Sequence, residues 1–90
     1  MDASLRKRIL LVDDHLVVRE SLVLLLAQRM PELRFVEAAS LMQAQLVLGS
    51  MGDIDLVLLD LDLPDSRGLA TLTALRATAP GVPVVATACR

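Results

Sequence analysis

Aromatic residues are almost missing from this sequence: Phe35 is the only one. Any core must therefore be aliphatic, and the material for one is plentiful, because 54% of the 90 residues are apolar. Cysteine is nearly absent too. The single Cys89 forms no internal disulfide, which excludes a small secreted fold held by staples. Basic charge is scarce: nine Lys and Arg stand against eleven Asp and Glu, the net charge is −2, and Lys7 is the only lysine. That balance does not suit a nucleic-acid binder. Long apolar runs are also missing. After the basic patch Arg6-Lys7-Arg8, the run Ile9-Leu10-Leu11-Val12 stops at Asp13-Asp14, too soon for a signal peptide or a membrane span. The chain is nonetheless too apolar and too weakly charged for general disorder. It contains no internal repeat and no low-complexity linker. One cytoplasmic domain is the default reading.

Residues 1–8 read as a short tail, with Arg6, Lys7 and Arg8 solvated. Residues 9–12 are continuously apolar, as in a strand covered on both faces. From Leu16 to Met30 the apolar residues Val18, Leu22, Leu25, Leu26 and Met30 recur at three- and four-residue spacing, which predicts a helix ended by Pro31. Leu33 to Val36 predicts a second strand. Ser40, three residues before Gln43, fits a capping box for a helix carrying Leu41, Ala44 and Leu48, with Gly49 as its C′ residue. Ile54 to Leu59 is the clearest strand and runs into Asp60. Residues 61–68 form a loop rich in turn formers: Pro64, Asp65, Ser66 and Gly68. Leu69, Leu72 and Leu75 mark a third helix, which Pro80-Gly81 ends. Val82 to Ala86 is a fourth strand, with Pro83 near its start and Thr87 at its end.

The pattern is βαβαβαβ, which gives a parallel sheet with helices on both faces. Such sheets place ligands beyond the carboxyl ends of their strands. Asp13 and Asp14 end the first strand, Asp60 the third and Thr87 the fourth, so the polar groups of an apolar chain converge on one edge. Taken singly, Asp13 and Asp14 also suit a strand stop and a helix cap. Together with Asp60 they form a set of close carboxylates, whose repulsion a hard divalent cation relieves. Mg²⁺ takes oxygen ligands, and Asp13, Asp14, Asp60 and the carbonyl of Asp62 are the candidates. Asp60 is then a candidate carboxylate nucleophile toward phosphorus, with Thr87 as a hydrogen-bond donor to a phosphoryl oxygen. His15 reads as a structural residue at a helix start, because no Cys or second His supports a transition-metal site. Asp62 and Asp65 read as solvated loop acids, apart from the carbonyl of Asp62. Ser66 has no His–acid pair to activate it and reads as a loop or cap residue.

The segments Ile9-Leu10-Leu11-Val12-Asp13-Asp14-His15, Asp55-Leu56-Val57-Leu58-Leu59-Asp60 and Leu61-Asp62-Leu63-Pro64 with Gly68 resemble, in order and spacing, the receiver domain of bacterial two-component response regulators. The resemblance implies a flavodoxin-like doubly wound sheet with strand order 2-1-3-4. It implies that Asp60 accepts a phosphoryl group from a sensor histidine kinase, that Asp14 binds Mg²⁺ directly, and that Asp13 does so through water. Asp62 would lend its backbone carbonyl, and Thr87 would be the switch hydroxyl. Asp14-His15 followed by Leu16-Val17-Val18-Arg19 resembles the subgroup with a helix-turn-helix DNA-binding output. DNA contact is then expected only through that output.

The chain departs from the family pattern in two places. A receiver carries a lysine at the end of a fifth strand, and Lys7 stands before the first. Residues 9–90 are thus expected to be a receiver fragment without the last helix-strand-helix portion, open to dimerisation or strand swapping at its fourth strand. Counting from Pro83, either Thr87 or Ala88 takes the switch position. Two other functions stay open: a pseudo-receiver that serves only for protein interaction, and a phosphatase resembling the haloacid dehalogenases, with Asp60 and Asp62 as nucleophile and acid/base.

Overall fold

The computed structural model describes residues 7–87. Its elements are β1 (Arg8–Val12), α1 (Leu16–Arg29), β2 (Arg34–Ala38), α2 (Leu41–Ser50), β3 (Leu56–Asp60), β4 (Asp62–Leu63), β5 (Ser66–Arg67), α3 (Leu69–Thr78) and β6 (Val84–Thr87). β1, β2, β3 and β6 form one parallel sheet in the order β2-β1-β3-β6. With β6 as the fourth strand of the sheet, this is the expected flavodoxin-like order. β4 and β5 pair antiparallel as a miniature hairpin inside the segment read as plain loop.

After Arg8, β1 is continuously apolar because both its faces are covered. Leu10 and Val12 point to one side, where they pack with Val57, Leu59, Ala38, Ala44, Leu48, Ile54, Leu63 and Leu75. This cluster holds α2 and α3 against that face. Leu11 and its register partner Leu58 point to the other side. There Leu22 of α1 joins them around a cavity of about 110 Å³.

The two faces are unequally filled, and here the expected helix stripe is corrected. No residue of α1 is fully buried. Its half-buried positions are Arg19, Val23 and Leu26, while Val18, Leu25 and Met30 are exposed. Arg19 is half-buried and points inward to bond the backbone of the β1–α1 turn. Arg8 is likewise not part of a solvated tail. It opens β1, donates its N–H to Asp55 Oδ2 at 2.9 Å, and pairs with Asp53 at 3.2 Å.

Element ends follow local chemistry. α1 stops at Met30, whose N–H still reaches the Leu26 carbonyl at 2.7 Å, because Pro31 disfavours a helical Met30. Ser40 caps α2 by accepting the Gln43 N–H at 3.1 Å. Gln43 reaches back, but to the N–H of Ala39 rather than that of Ser40. Gly49 is not the C′ residue of α2: the helix runs through it to Ser50, and Met51 is the cap. β2 begins and ends later than expected, at Arg34 and Ala38. Pro83 lies just before β6, without an N–H to lose, and its carbonyl accepts the Val57 N–H at 3.0 Å. Gly68 begins α3 with φ 63° and ψ −145°, a conformation that only glycine adopts without strain. Ala88 and Cys89 lie outside the described residues. No helix among the described residues is long and apolar enough to cross a membrane.

The unequal faces predict unequal sensitivity. Leu59→Ala empties a fully buried site on the α2–α3 side and is expected to cost about 2–5 kcal/mol. Leu24→Ala, on the open face of α1, is expected to change stability by no more than about 0.5 kcal/mol. Urea denaturation of both variants reads the difference.

Candidate functional site

Parallel pairing sends the carboxyl ends of β1, β3 and β6 to the same edge, and with them their terminal side chains. β1 is followed by Asp13, whose N–H bonds the Ala38 carbonyl at 3.0 Å and extends the ladder by one bond. Asp60 is the last residue of β3 and stands opposite Thr87 of β6. Asp13 and Asp60 are buried, at 6% and 2% exposure, whereas Asp14 is exposed. The structure thus brings Asp13, Asp14 and Asp60 together as the spacing predicts, and adds a fourth member. Donor atoms of Asp13, Asp14, His15 and Asp60 all lie within 4.8 Å of one another.

His15 is the member missed in the sequence. It is the N-cap residue of α1, with extended backbone. Its N–H and its Nδ1–H both donate to Asp13 Oδ1, at 2.8 and 2.7 Å. Nδ1 stands 3.2 Å from Asp14 Oδ1 and 3.7 Å from Asp60 Oδ2. The hydrogen bond to the Asp13 carboxylate raises the imidazole pKa above its ordinary 6.5, and the negative charges of Asp14 and Asp13 add to it. The signal in the sequence was adjacency: a residue directly after two strand-end acids starts the next helix from the same turn. Asp13 meanwhile does both things once weighed as alternatives, ordering the helix start and lining the acidic site.

Asp60 is held by one bond. Its Oδ1 accepts the Asp62 N–H at 3.0 Å. Its Oδ2 is buried and has no hydrogen-bond partner. A carboxylate oxygen removed from water without a partner is costly, and a cation or an electrophile is what such an atom is fit to receive. An ion among three carboxylates matches the oxygen chemistry of a hard divalent cation. The Asp62 carboxylate pairs with Arg67 Nε at 3.3 Å, so the N–H of Asp62, not its acid group, is what Asp60 receives. Thr87 Oγ1 donates to the Leu59 carbonyl at 3.3 Å, longer than a good O–H···O bond.

The surroundings fix these groups in place. Arg19 donates from one guanidinium nitrogen to the Asp13 carbonyl at 2.6 Å and from Nε to Glu37 at 2.8 Å. It thereby ties the acidic turn to β2. The hairpin after Asp60 is anchored by two contacts. Ser66 and Thr71 share a hydroxyl hydrogen bond of 2.6 Å, which joins β5 to the fully buried Thr71 of α3. Asp65 is exposed, as expected of a loop acid, but it also accepts the Leu41 and Met42 N–H groups at 2.8 and 3.0 Å, at the start of α2.

A family model described as the response regulator receiver domain matches residues 9–89. The chain is 40% identical over 78 residues to the glycerol metabolism activator of Pseudomonas putida, covering 87% of this chain and 35% of that protein. It is 40% identical over 68 residues to the nitrate/nitrite response regulator protein NarL of Escherichia coli (strain K12), covering 76% of this chain and 31% of that protein. The chain therefore spans about a third of the length of these curated relatives. Among solved structures it is similar to a LuxR-family two-component response regulator from Aurantimonas sp. SI85-9A1. The TM-score there is 0.81 and the identity 30%, over 94% of this chain and 60% of that one.

Asp65 yields a pH-dependent prediction. The Met42 and Leu41 N–H groups stabilise its charged form and lower its pKa below the ordinary 3.8. Its folded pKa lies below its unfolded one, so its contribution is full above the unfolded value and is lost as the pH falls through the folded value. Asp65→Ala is expected to cost about 1 kcal/mol at neutral pH, as for other helix-start acceptors, and progressively less in acid. Urea melts of both chains across that range measure the gap. A gap independent of pH excludes the tether.

Proposed function

The chain belongs to the response regulator receiver domain family, and from that footing we propose that Asp60 accepts a phosphoryl group from a phosphohistidine of a sensor histidine kinase. A receiver is a signalling domain, and the chemistry asked of this one is a single transfer. The observation that carries the assignment to Asp60 is its Oδ2, buried, without a hydrogen-bond partner and beside Asp13 and Asp14. Oδ2 forms the new bond to phosphorus while the phosphorus–nitrogen bond of the donor breaks and its electron pair stays with the donor imidazole. The Asp62 N–H on Oδ1 orients the carboxylate for this attack.

Mg²⁺, when bound, supplies positive charge to the phosphoryl oxygens. Asp14 and Asp60 are its proposed direct ligands, with Asp13 acting through water and Asp62 through its backbone carbonyl. The donor set supports this, being rich in oxygen and closely spaced. Thr87 stands across the ladder from Asp60. Its long bond to Leu59 is weak enough to exchange for one to a phosphoryl oxygen, which is the switch step we assign to it. The output controlled is transcription, through a helix-turn-helix domain beyond residues 9–90, in the cytoplasm. β6 is an edge strand among the described residues and carries the exposed Val85, which suits pairing with a second copy of this chain.

The test is phosphorylation of the full-length regulator by a small phosphodonor with Mg²⁺. One hydroxylamine-sensitive phosphate per chain is expected, and none in Asp60→Asn. A phosphate that persists in the variant moves the acceptor elsewhere. Absence of phosphate from the parent protein, with kinase or with small donor, leaves an interaction module that uses no phosphate.

A further inference from the structure

We propose that Arg19 is a positioning residue for phosphoryl transfer to Asp60: its guanidinium fixes the backbone of the Asp13-Asp14 turn beside the acceptor, and Glu37 of β2 fixes the guanidinium. The proposal rests on the reading of Asp60 as the phosphoacceptor, and adds to it a residue that acts through the turn rather than on the phosphoryl group.

Asp13 and Asp14 flank the acceptor from the turn between β1 and α1. The sheet reaches into that turn by one ladder bond, from the Asp13 N–H to the Ala38 carbonyl. Arg19 takes the next backbone group. One of its guanidinium nitrogens donates to the Asp13 carbonyl at 2.6 Å, a short charge-assisted bond. This carbonyl belongs to the planar peptide group that joins Asp13 to Asp14. Its orientation sets how the chain passes from one residue to the other. The bond that fixes it therefore fixes where both carboxylates stand relative to Asp60.

The guanidinium is held in its turn. Arg19 stands in the first turn of α1, where its own N–H bonds the His15 carbonyl at 2.9 Å. Its Nε donates to Glu37 Oε1 at 2.8 Å, and its side chain is only 13% exposed. Glu37 lies in β2 opposite Leu11 of β1, two residues short of Asp13. A guanidinium is planar, always charged, and keeps its donors at fixed angles. One rigid fork thus carries the position of the sheet into the turn. Transfer to Asp60 needs its surroundings in place, and a misplacement of about 1 Å costs about a hundredfold in rate. A glutamine at position 19 is too short to reach both partners, and without Glu37 the fork loses the anchor that aims it.

The test uses the full-length regulator and a small phosphodonor, which removes any effect on kinase docking. Arg19→Gln is expected to slow phosphorylation about ten- to a hundredfold. Glu37→Ala is expected to slow it less, and the double variant to be no slower than Arg19→Gln alone, because both changes break one connection. Urea melts give the folded fraction of each variant, and ¹³C NMR gives the carbonyl resonance of Asp13. That resonance is expected to move in Arg19→Gln and in Glu37→Ala. If Arg19→Gln does not fold, Glu37→Ala, which keeps the guanidinium, carries the test by itself. A folded Arg19→Gln that is phosphorylated at the parent rate overturns the proposal. So does a rate that falls only in step with the folded fraction, or one that falls while the Asp13 carbonyl resonance stays in place. If the parent is not phosphorylated, or Asp60→Asn still is, the acceptor reading fails and the proposal fails with it.

Discussion

The structure turns on negative charge gathered at one rim of an otherwise aliphatic sheet. Two neighbouring parallel strands, β1 and β3, deliver Asp13, Asp14 and Asp60 to the same few ångströms, and one oxygen of Asp60 is left buried without a hydrogen bond. A stable fold of this size has only a small net free energy of folding. It keeps such an atom because the neighbouring contacts hold it: the Asp62 N–H on one side, and on the other a turn pinned by His15 and Arg19. The sheet determines the geometry of this acidic cluster, since Asp13 follows β1 and Asp60 ends the neighbouring β3.

The rest of the molecule divides between holding that rim and leaving it responsive. On one face α2 and α3 cover a closely packed cluster that includes Leu10, Val57, Leu59 and Leu75, all fully buried. On the other, α1 lies over a small cavity lined by Leu11, Leu22, Leu58, Asp60 and Thr87. The acidic rim thus sits between a tight half and a loose one. The hairpin that follows Asp60 is fastened to the tight half, through Asp65 to α2 and through Ser66 to α3. Asp60 is bonded to the first residue of this anchored hairpin through the Asp62 N–H.

Much of this was legible in the residues. The four apolar runs, the Pro31 and Pro80-Gly81 stops and the Ser40 cap are local signals, and local signals survive folding. The strand-end aspartates were readable because parallel topology turns a linear pattern into a shared edge. The misreadings have one cause in common. Arg8 and Asp65 were assigned to solvent and His15 to a structural role alone, and each is held by a partner distant in sequence or around a turn. Arg8 meets Asp53 and Asp55, Arg19 meets Glu37, and Asp65 meets the start of α2. Polar residues carry no periodicity that announces such partners.

By itself, the chain of residues determined an aliphatic α/β sheet, its helix boundaries to within a few positions, and which carboxylates end which strands. Those properties depend on side-chain period and on backbone restrictions, which neighbours in sequence impose. The folded structure alone decided that Thr87 stands opposite Asp60, that the Asp62 N–H rather than its acid group serves Asp60, and that an imidazole lies among the carboxylates. Those are distances between atoms far apart along the chain, and they exist only once the register of the strands is set.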